Sequence, residues 1–241
     1  MIDIHTHILP NTDDGARSPE ESLEMIARME RDGITHIIAT PHCTSRAPLF
    51  RDEIKKRVAT LNALLQEEKS QVVVLPGSEI SFFDAADYRA NYEAGRFCHL
   101  GDKPLYSLLE FPWRNEQVPG GALEHIEWML EQGTTPIIAH PERTPYLREN
   151  PTLLKEMVAC GAAIQLTVDS VSGQQSAQSQ MMAETILRTF EPVVLASDSH
   201  NMGRCSGLSV GYERVARKFG KARAADLMAH SNVILQNILA A

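Results

Sequence analysis

The sequence lacks the features that define several large protein classes. Its four cysteines lie far apart, at positions 43, 98, 160 and 205, and form no C-x-x-C pair. This spacing argues against a disulfide framework and against a zinc knuckle. No apolar run reaches the roughly 18 residues that a membrane span needs, and no charged segment followed by an apolar one opens the chain. We therefore expect a soluble protein of the reducing cytoplasm.

Basic residues are scarce relative to acidic ones. The chain has 23 lysines and arginines against 31 aspartates and glutamates, which gives a formal net charge of -8. Binding to a nucleic acid backbone depends on lysine and arginine, so we expect no nucleic acid partner. Carboxylates can instead hold metal ions, and bound divalent cations would offset much of this negative charge.

Composition is that of an ordinary globular protein. Of the 241 residues, 43% are hydrophobic and 22% are charged, which is close to the average. No low-complexity tract, linker or fixed-period repeat divides the chain, so we expect a single domain over residues 1–241. A chain of this length buries a large core without help from a metal or a disulfide. A metal site would therefore serve function rather than folding.

Short apolar runs alternate with segments of helical period. Their length and their Ile, Val and Leu content are typical of strands buried on both faces of a parallel sheet, and they lie at residues 2–4, 34–40, 72–75, 106–111, 135–139, 162–168 and 193–196. The sequence Ser18-Pro19-Glu20-Glu21 has the pattern of a capping box and begins a helix that ends at Gly33. Asn150-Pro151 caps another helix, which Gly161 closes. Further helices are expected around residues 54–65, 123–130, 181–190 and 212–219 and from residue 221 onwards.

Seven strands alternating with helices predict an α/β fold with a parallel sheet. No G-x-G-x-x-G turn suggests the crevice of an open dinucleotide-binding sheet, so a closed barrel related to the (β/α)₈ type is favoured. In such a barrel the carboxyl ends of the strands meet at one mouth, where active sites lie. Six of the seven runs are followed by a histidine, an aspartate or a glutamate at that end.

These residues have the spacing of metal ligands. His5 and His7 are two apart, which places both imidazoles on one face of a strand. Asp13-Asp14-Gly15 is typical of a turn, but its nearness to the two histidines favours Asp14 as a ligand. Glu79 follows a fully apolar strand, where it either meets solvent or bridges two cations. Glu110 lies within an apolar run, and a buried carboxylate there must be paired or must bind a metal.

The predicted ligand set has five histidines and four carboxylates: His5, His7, Asp14, His42, Glu79, Glu110, His140, Asp198 and His200. So many nitrogen and oxygen donors suit two or three ions, with Mn, Fe or Zn favoured. The other four histidines are expected to be structural: His36, His99, His125 and His230. Cys43 is expected to be inert, because the position that thiol-dependent tyrosine phosphatases fill with arginine is Leu49.

At six positions the chain resembles the PHP (polymerase and histidinol phosphatase) superfamily. The motifs are DIHTHILPNTDDG at 3–15, ATPH at 39–42, GSEI at 77–80, LLEF at 108–111, AHPER at 139–143 and SDSHN at 197–201. Each motif is weak alone, but six in order, from residue 1 to about residue 208, are specific. More narrowly, the chain is similar to the bacterial CpsB/YwqE-type protein-tyrosine phosphatases of capsule and exopolysaccharide loci.

The resemblance implies a distorted TIM-like (β/α)₇ barrel, the PHP fold, and three metal ions, usually manganese. It also implies that Arg143 and Arg204 hold the substrate phosphate. The chemistry expected from these parts is attack by a metal-activated hydroxide without a covalent phosphoenzyme, with His42 or His200 as proton shuttle. The implied substrate is the phosphorylated tyrosine-rich tail of a membrane-associated bacterial tyrosine kinase.

Three alternatives remain open. The same site with another pocket would hydrolyse histidinol phosphate or another small phosphomonoester. A metal-dependent deoxyribonuclease or amidohydrolase also opens with H-x-H on its first strand. Many amidohydrolases, however, need a bridging lysine on the fourth strand, where this chain has Glu110. A regulatory module without turnover is disfavoured, because all nine ligands and both arginines are present.

Overall fold

The structure is a computed structural model that describes residues 1–44, 48–82, 84–112 and 120–241. Within these residues the chain is a mixed α/β fold in which parallel strands alternate with helices. In chain order the described strands are β1 (Ile2–Thr6), β2 (His36–Ala39), β3 (His42–Cys43), β4 (Val73–Pro76), β5 (Glu79–Ser81), β6 (Tyr106–Glu110), β7 (Thr135–Ala139), β8 (Ala163–Thr167) and β9 (Val193–Ala196).

The helices lie mostly between consecutive strands. In chain order the described α-helices are α1 (Pro19–Arg31), α2 (Arg51–Glu67), α3 (Ala85–Glu93), α4 (Ala122–Glu131), α5 (Pro145–Glu149), α6 (Pro151–Cys160), α7 (Val168–Ser172), α8 (Ala177–Thr189), α9 (Leu208–Phe219) and α10 (Lys221–Ala240). Short 3₁₀ turns cover Leu100–Asp102 and Met202–Arg204. Among the described helices, none is both long enough and apolar enough to cross a membrane.

The strands pair in parallel in two sheets. One sheet has the order β1-β2-β4, and the other has the order β3-β5-β6-β7-β8-β9. The chain passes from the first sheet to the second twice, between β2 and β3 and between β4 and β5. At the carboxyl ends, a bridge between Thr6 and Ser199 links β1 to the segment after β9. The His7 N–H donates to the Ser199 carbonyl at 2.8 Å across this junction.

All seven predicted strand positions are occupied, and two of them are followed by a further short strand. Pro41 has no N–H to donate and separates β2 from β3, and residues 77–78 separate β4 from β5. A Cβ on Gly77 would lie 2.7 Å from Ile38 Cγ2, so only glycine permits this close approach. The two short strands that result, β3 and β5, were not separate elements in the sequence pattern.

The helix predictions are confirmed in place and corrected in detail. Ser18 caps α1, with its side chain accepting from the Glu21 N–H, but Glu21 returns its own side chain to Arg17 rather than to Ser18. Asn150 is the N-cap residue of α6 and Pro151 lies in its first turn, as predicted, but the Asn150 side chain makes no capping hydrogen bond and donates to the Tyr146 carbonyl instead. Helices α3, α5 and α7 were not predicted, and α7 begins at Val168, which the pattern had placed in a strand.

One apolar cluster joins strands from both sheets. Its strand members are Ile2, Ile4, Ile38, Leu108, Ile137, Ala139, Ala163, Val194 and Ala196, from six different strands. Ile234 and Ile238 of α10 and Leu100 pack against them. Burying such side chains removes apolar surface from water and stabilises the fold by roughly 25 cal/mol per Å². One or two positions beyond members of this cluster, towards the carboxyl ends of the strands, come the polar residues His5, Glu110, His140, Gln165 and Asp198.

Candidate metal centre

The nine predicted ligands converge at the carboxyl ends of the strands. Seven of them line a cavity of about 690 Å³, which Arg143 and Arg204 also line, and the fully buried His5 and His7 lie behind Glu79 and Asp198. Seven of the nine are buried, His42 is partly exposed and Asp14 is exposed at the rim. The inner part of the site is therefore shielded from solvent, and its opening is exposed to solvent. Charges in the buried part interact more strongly than they would in water.

His5 and His7 both direct their Nε2 atoms at the same point in the site. His5 Nε2 lies 3.2 Å from His7 Nε2 and 3.3 Å from Asp198 Oδ1. Glu79 Oε2 lies 3.4 Å from His5 Nε2 and 3.5 Å from His7 Nε2. Two nitrogens and two carboxylate oxygens from three separate segments thus surround this point.

The remaining ligands extend the centre towards solvent. Glu79 Oε1 lies 2.8 Å from His140 Nε2, and Glu79 Oε2 lies 2.9 Å from His42 Nδ1. Asp14 Oδ1 lies 3.4 Å from His42 Nε2 and 3.5 Å from His200 Nε2. Glu79 is therefore the central carboxylate, because its two oxygens reach four histidines from three segments of the chain.

Each of the nine predicted ligands belongs to at least one compact donor group. Four overlapping groups bring one donor atom per side chain within 4.8 Å of one another, and they are His7, Asp14, His42 and His200; His5, Glu79 and His140; His5, His7 and Asp198; and His42, Glu79 and Glu110. Each group contains imidazole nitrogen and carboxylate oxygen only, the donors preferred by Mn²⁺, Fe²⁺ and Zn²⁺.

Hydrogen bonding within the cluster leaves a central oxygen unsatisfied. Glu79 Oε2 is buried and has no hydrogen-bond partner in the described part of the chain, although three imidazoles lie within 3.5 Å of it. An orphaned buried carboxylate oxygen is costly unless a cation or a donor meets it. The residues present therefore fit a divalent cation.

Burial and charge act in opposite directions on these groups. Burial alone would raise the pKa of Glu79, but His5, His140 and His42 hold it well below its ordinary value. Burial would likewise raise the pKa of Asp198, which His5, His7 and Arg143 keep well below its usual range. Burial would lower the pKa of His42, but the neighbouring carboxylates of Asp14 and Glu79 raise it to about 10. The carboxylates are therefore ionised at neutral pH and available to a cation.

Backbone strain occurs at two of the ligands. His140 has a φ of 31° and Asp198 a φ of 52°, values in the left-handed region that residues other than glycine seldom adopt. His140 directly follows the buried strand β7, and Asp198 lies two residues after the end of the buried strand β9. Such strain persists where the surrounding structure fixes it, and it is commonly found at functional sites.

Asp198 is held by both predicted phosphate-binding arginines. Arg143 Nη1 donates to Asp198 Oδ2, and Arg204 Nη2 lies 3.4 Å from the same oxygen. Arg143 is nearly buried, with 10% of its side chain exposed, whereas Arg204 has 44% exposed at the rim. Asp198 thereby fixes two guanidinium groups beside the cavity while its other oxygen faces His5 and His7.

Two residues at the centre were not predicted from the sequence. Asp13, passed over in favour of Asp14, accepts from His7 Nδ1 at 2.7 Å and from the His42 N–H at 2.9 Å. Gln165 lies on β8, in the one predicted apolar run that no predicted site residue follows, and it contacts both His5 and His140. A lone glutamine within an apolar strand is the signal that could have drawn attention to it.

The residues set aside from the sequence lie away from the centre. His36 begins β2 at the opposite end from His42, His99 precedes a 3₁₀ turn, His125 lies on α4 and His230 lies on α10. Cys43 is 3% exposed, and burial raises its pKa to about 11, which does not suit a nucleophilic thiolate. The expectation that this thiol is inert agrees with its environment.

Sequence comparison identifies relatives along nearly the whole chain. The model of the family described as capsular polysaccharide synthesis, CpsB/CapC, matches residues 1–236. The tyrosine-protein phosphatase YwqE of Bacillus subtilis is 38% identical over 209 residues, which cover 84% of this chain and 78% of that protein. The tyrosine-protein phosphatase CpsB of Streptococcus pneumoniae is 29% identical over 238 residues, 94% of each chain.

Structural comparison agrees. A chain from the crystal structures of YwqE from Bacillus subtilis and CpsB from Streptococcus pneumoniae, described as unique metal-dependent tyrosine phosphatases, superposes with a TM-score of 0.92. The two sequences are 33% identical, with 98% of this chain and 95% of that chain covered. A Listeria monocytogenes structure named for histidinol phosphatase is 12% identical, with a TM-score of 0.50 over 85% of this chain and 97% of the other, and shares the fold alone. With its motifs, its fold and these relatives in agreement, the chain belongs to the CpsB/CapC family.

Proposed function

We propose that this chain is a metal-dependent protein-tyrosine phosphatase that hydrolyses phosphotyrosine. The observation that carries the proposal is one cavity lined by imidazoles, carboxylates and two arginines. Cations and guanidinium groups together suit a phosphoryl group, whose charged oxygens need both. The family and its tyrosine phosphatase members support the same reaction.

The nine convergent side chains support a centre of three divalent cations, for which we propose manganese. The overlapping donor groups would share His5, His7, His42 and Glu79, so that neighbouring cations would have ligands in common. Bound there, the cations would supply a Lewis acid for the phosphoryl oxygens and a water of lowered pKa as the nucleophile. The protein itself contributes ionised carboxylates in the buried part of the site, from which most water is excluded.

The arginines would hold the phosphoryl group in place. Arg143 and Arg204 converge on Asp198 Oδ2, so both guanidinium groups are fixed on one side of the cavity. A guanidinium donates two parallel hydrogen bonds to a phosphate and keeps its charge at any physiological pH. Because the phenol of tyrosine has a pKa of about 10, the tyrosine phenolate is a leaving group that needs no strong general acid. His42 and His200 line the cavity and would shuttle protons to or from the reacting groups.

The wider context follows from the family. The CpsB/CapC family is named for capsular polysaccharide synthesis, and we propose that the substrate is a phosphotyrosine protein of that system, such as a bacterial tyrosine kinase tail, met in the cytoplasm. We also propose that residues 1–241 form one domain and that the two sheets close into a distorted seven-position barrel. The shared apolar cluster and the bridge from Thr6 to Ser199 support this closure.

Phosphate release tests the proposal. The protein is stripped of metal, returned to Mn²⁺, and assayed with a phosphotyrosine peptide, a phosphoserine peptide and histidinol phosphate. We expect Mn²⁺-dependent release that is selective for phosphotyrosine and is lost in His42→Ala. His36→Ala is the matched control, because His36 begins β2, six residues before His42, and lies at the end of that strand that faces away from the cavity. A preference for histidinol phosphate would overturn the substrate, and no metal-dependent release from any of the three would overturn the phosphatase.

A further inference from the structure

Gln165 connects a strand without predicted ligands to the candidate centre. Its side chain is fully buried, and its Oε1 lies 3.0 Å from His5 Nδ1 and 3.2 Å from the backbone nitrogen of His140. In the sheet, Gln165 pairs with Ala139, the residue before His140. One side-chain oxygen therefore contacts two residues of the predicted ligand set.

The contact with His140 fixes which amide atom faces the centre. A backbone N–H can only donate, so the atom that meets it must be the oxygen of Gln165 and not the NH₂ group. The oxygen in turn only accepts, so His5 Nδ1 must carry the proton that it shares with Gln165. A neutral His5 then has its lone pair on Nε2, the atom that faces Asp198 and Glu79.

His7 is held in the same way by a different group. Its Nδ1 lies 2.7 Å from Asp13 Oδ2, which also accepts from the His42 N–H, so the Nδ1 of His7 is a donor as well. The acceptor is charged for His7, near the rim, and neutral for His5, where Glu79 and Asp198 are already buried. A third buried carboxylate beside them would add a desolvation cost that an amide avoids.

We propose that Gln165 is a positioning residue that fixes the His5 ring with its Nε2 directed at the centre and thereby strengthens cation binding. The ring orientation stands on hydrogen bonds alone, whereas the effect on cation binding rests on the proposed function. Groups that orient a metal-binding histidine in this way change metal affinity by roughly 10-fold to 100-fold when they are removed.

The test compares two substitutions with a matched control. Gln165→Leu removes the acceptor at similar size, and Gln165→Glu keeps an acceptor for both N–H groups. Leu166→Ala controls for lost packing, because Leu166 is its neighbour on the same strand and lies in the apolar core. Each protein is checked for folding by thermal melting in EDTA, and its Mn²⁺ affinity is measured by equilibrium dialysis.

A nuclear magnetic resonance readout keeps the two parts of the inference separate. The proton on His5 Nδ1 is present in both the neutral and the charged ring, so metal-free protein with ¹⁵N-labelled histidine reports on its hydrogen bond. We expect this proton to exchange slowly in the wild type, Gln165→Glu and Leu166→Ala, and to exchange rapidly or shift in Gln165→Leu. Mn²⁺ affinity should fall about 10-fold to 100-fold in Gln165→Leu only.

The outcomes distinguish this inference from the proposed function. An unchanged His5 ring proton and wild-type Mn²⁺ affinity in folded Gln165→Leu would overturn the positioning role. If Gln165→Leu does not fold, loss of the ring proton in Gln165→Glu would overturn it instead. If the wild type binds no Mn²⁺, the effect on cation binding fails together with the proposed function, while the ring proton still decides the orientation of His5.

Discussion

Replacing Arg143 with alanine tests the phosphate-binding role directly. The side chain is only 10% exposed, so its charge is poorly screened by water. A guanidinium that donates two charge-assisted hydrogen bonds to a phosphoryl group, each worth about 1.5–3 kcal/mol, contributes about 3–6 kcal/mol. That free energy corresponds to a loss of roughly 10²-fold to 10⁴-fold in kcat/KM. Arg143→Lys should lose less of its kcat/KM, because lysine keeps the positive charge although it lacks the two parallel N–H donors of the guanidinium.

The assay must separate phosphate binding from damage to the metal centre, because Arg143 also pairs with Asp198. At saturating Mn²⁺ we expect Arg143→Ala to show the fall in kcat/KM and much weaker product inhibition by inorganic phosphate. Its Mn²⁺ affinity should be unchanged or higher, since a competing positive charge has been removed from beside Asp198. Arg31→Ala, an exposed arginine at the end of α1, is the control. A kcat/KM within about threefold of the wild type would refute the reasoning, because one hydrogen bond to a charged group is already worth more than that.

Three further changes probe the centre and the core. In metal-free protein the pKa of His42 is raised to about 10, so the stability that its charged form contributes below pH 6.5 should be lost as the pH rises towards 10, and the melting temperature should fall. This fall in melting temperature with pH should be shallower in His42→Asn. With Mn²⁺ bound the melting temperature should rise with pH instead. In Gly15→Ala the added Cβ would lie 2.0 Å from the His7 carbonyl oxygen, so Mn²⁺-dependent turnover should fall at least about tenfold. Gly120→Ala is the control and should stay active, because a Cβ at Gly120 would have no atom within 4 Å. His125, whose pKa burial lowers to about 4, has no hydrogen-bond partner among the described residues. Replacing it with phenylalanine should therefore raise the melting temperature, by more at pH 5 than at pH 7, and an equal gain at both would contradict this account.

The strand positions and the convergence of the nine candidate ligands were predictable from the sequence because both follow simple periodicities. A strand buried on both faces reads as a continuous apolar run, and the residue that ends the run lies at the sheet edge where the ligands meet. Glu110 stood out within its apolar run, and the structure does bury it, with Ser81 donating to its Oε2 at 3.0 Å. Local sequence was sufficient there, because the cost of burying a charge is a local property.

The missed elements are those whose sequence carries little local signal. Helix α3 buries only Tyr88, so it shows almost no apolar stripe, and α5 and α7 are five residues each. The two divisions that create β3 and β5 come from a proline and from a glycine packed on Ile38, and they involve contacts between strands. Tertiary packing decides such features, and a single sequence does not display it.

Asp13 and Gln165 were missed for a related reason. A turn aspartate next to a glycine has an ordinary explanation, and one amide in an apolar strand has no spacing rule. Each contacts a candidate ligand that is distant in the sequence: Asp13 accepts from the His42 N–H across 29 positions, and Gln165 reaches His5 across 160. Ligands can be found by their position at strand ends, but the groups that orient them are identified only by contact.

The centre combines positioned donors with concentrated negative charge, and the two properties have a common consequence. His140 and Asp198 have strained backbones, and the Nδ1 atoms of His5, His7 and His200 each meet an oxygen. Donors that are positioned before a cation arrives lose little conformational entropy when it binds. The carboxylates of Asp14, Glu79, Glu110 and Asp198 then supply the negative charge that attracts each cation. Such a centre gains most of its cation affinity from charge, which predicts a steeper loss of Mn²⁺ when Glu79 becomes glutamine than when His140 becomes asparagine, measurable by the same dialysis.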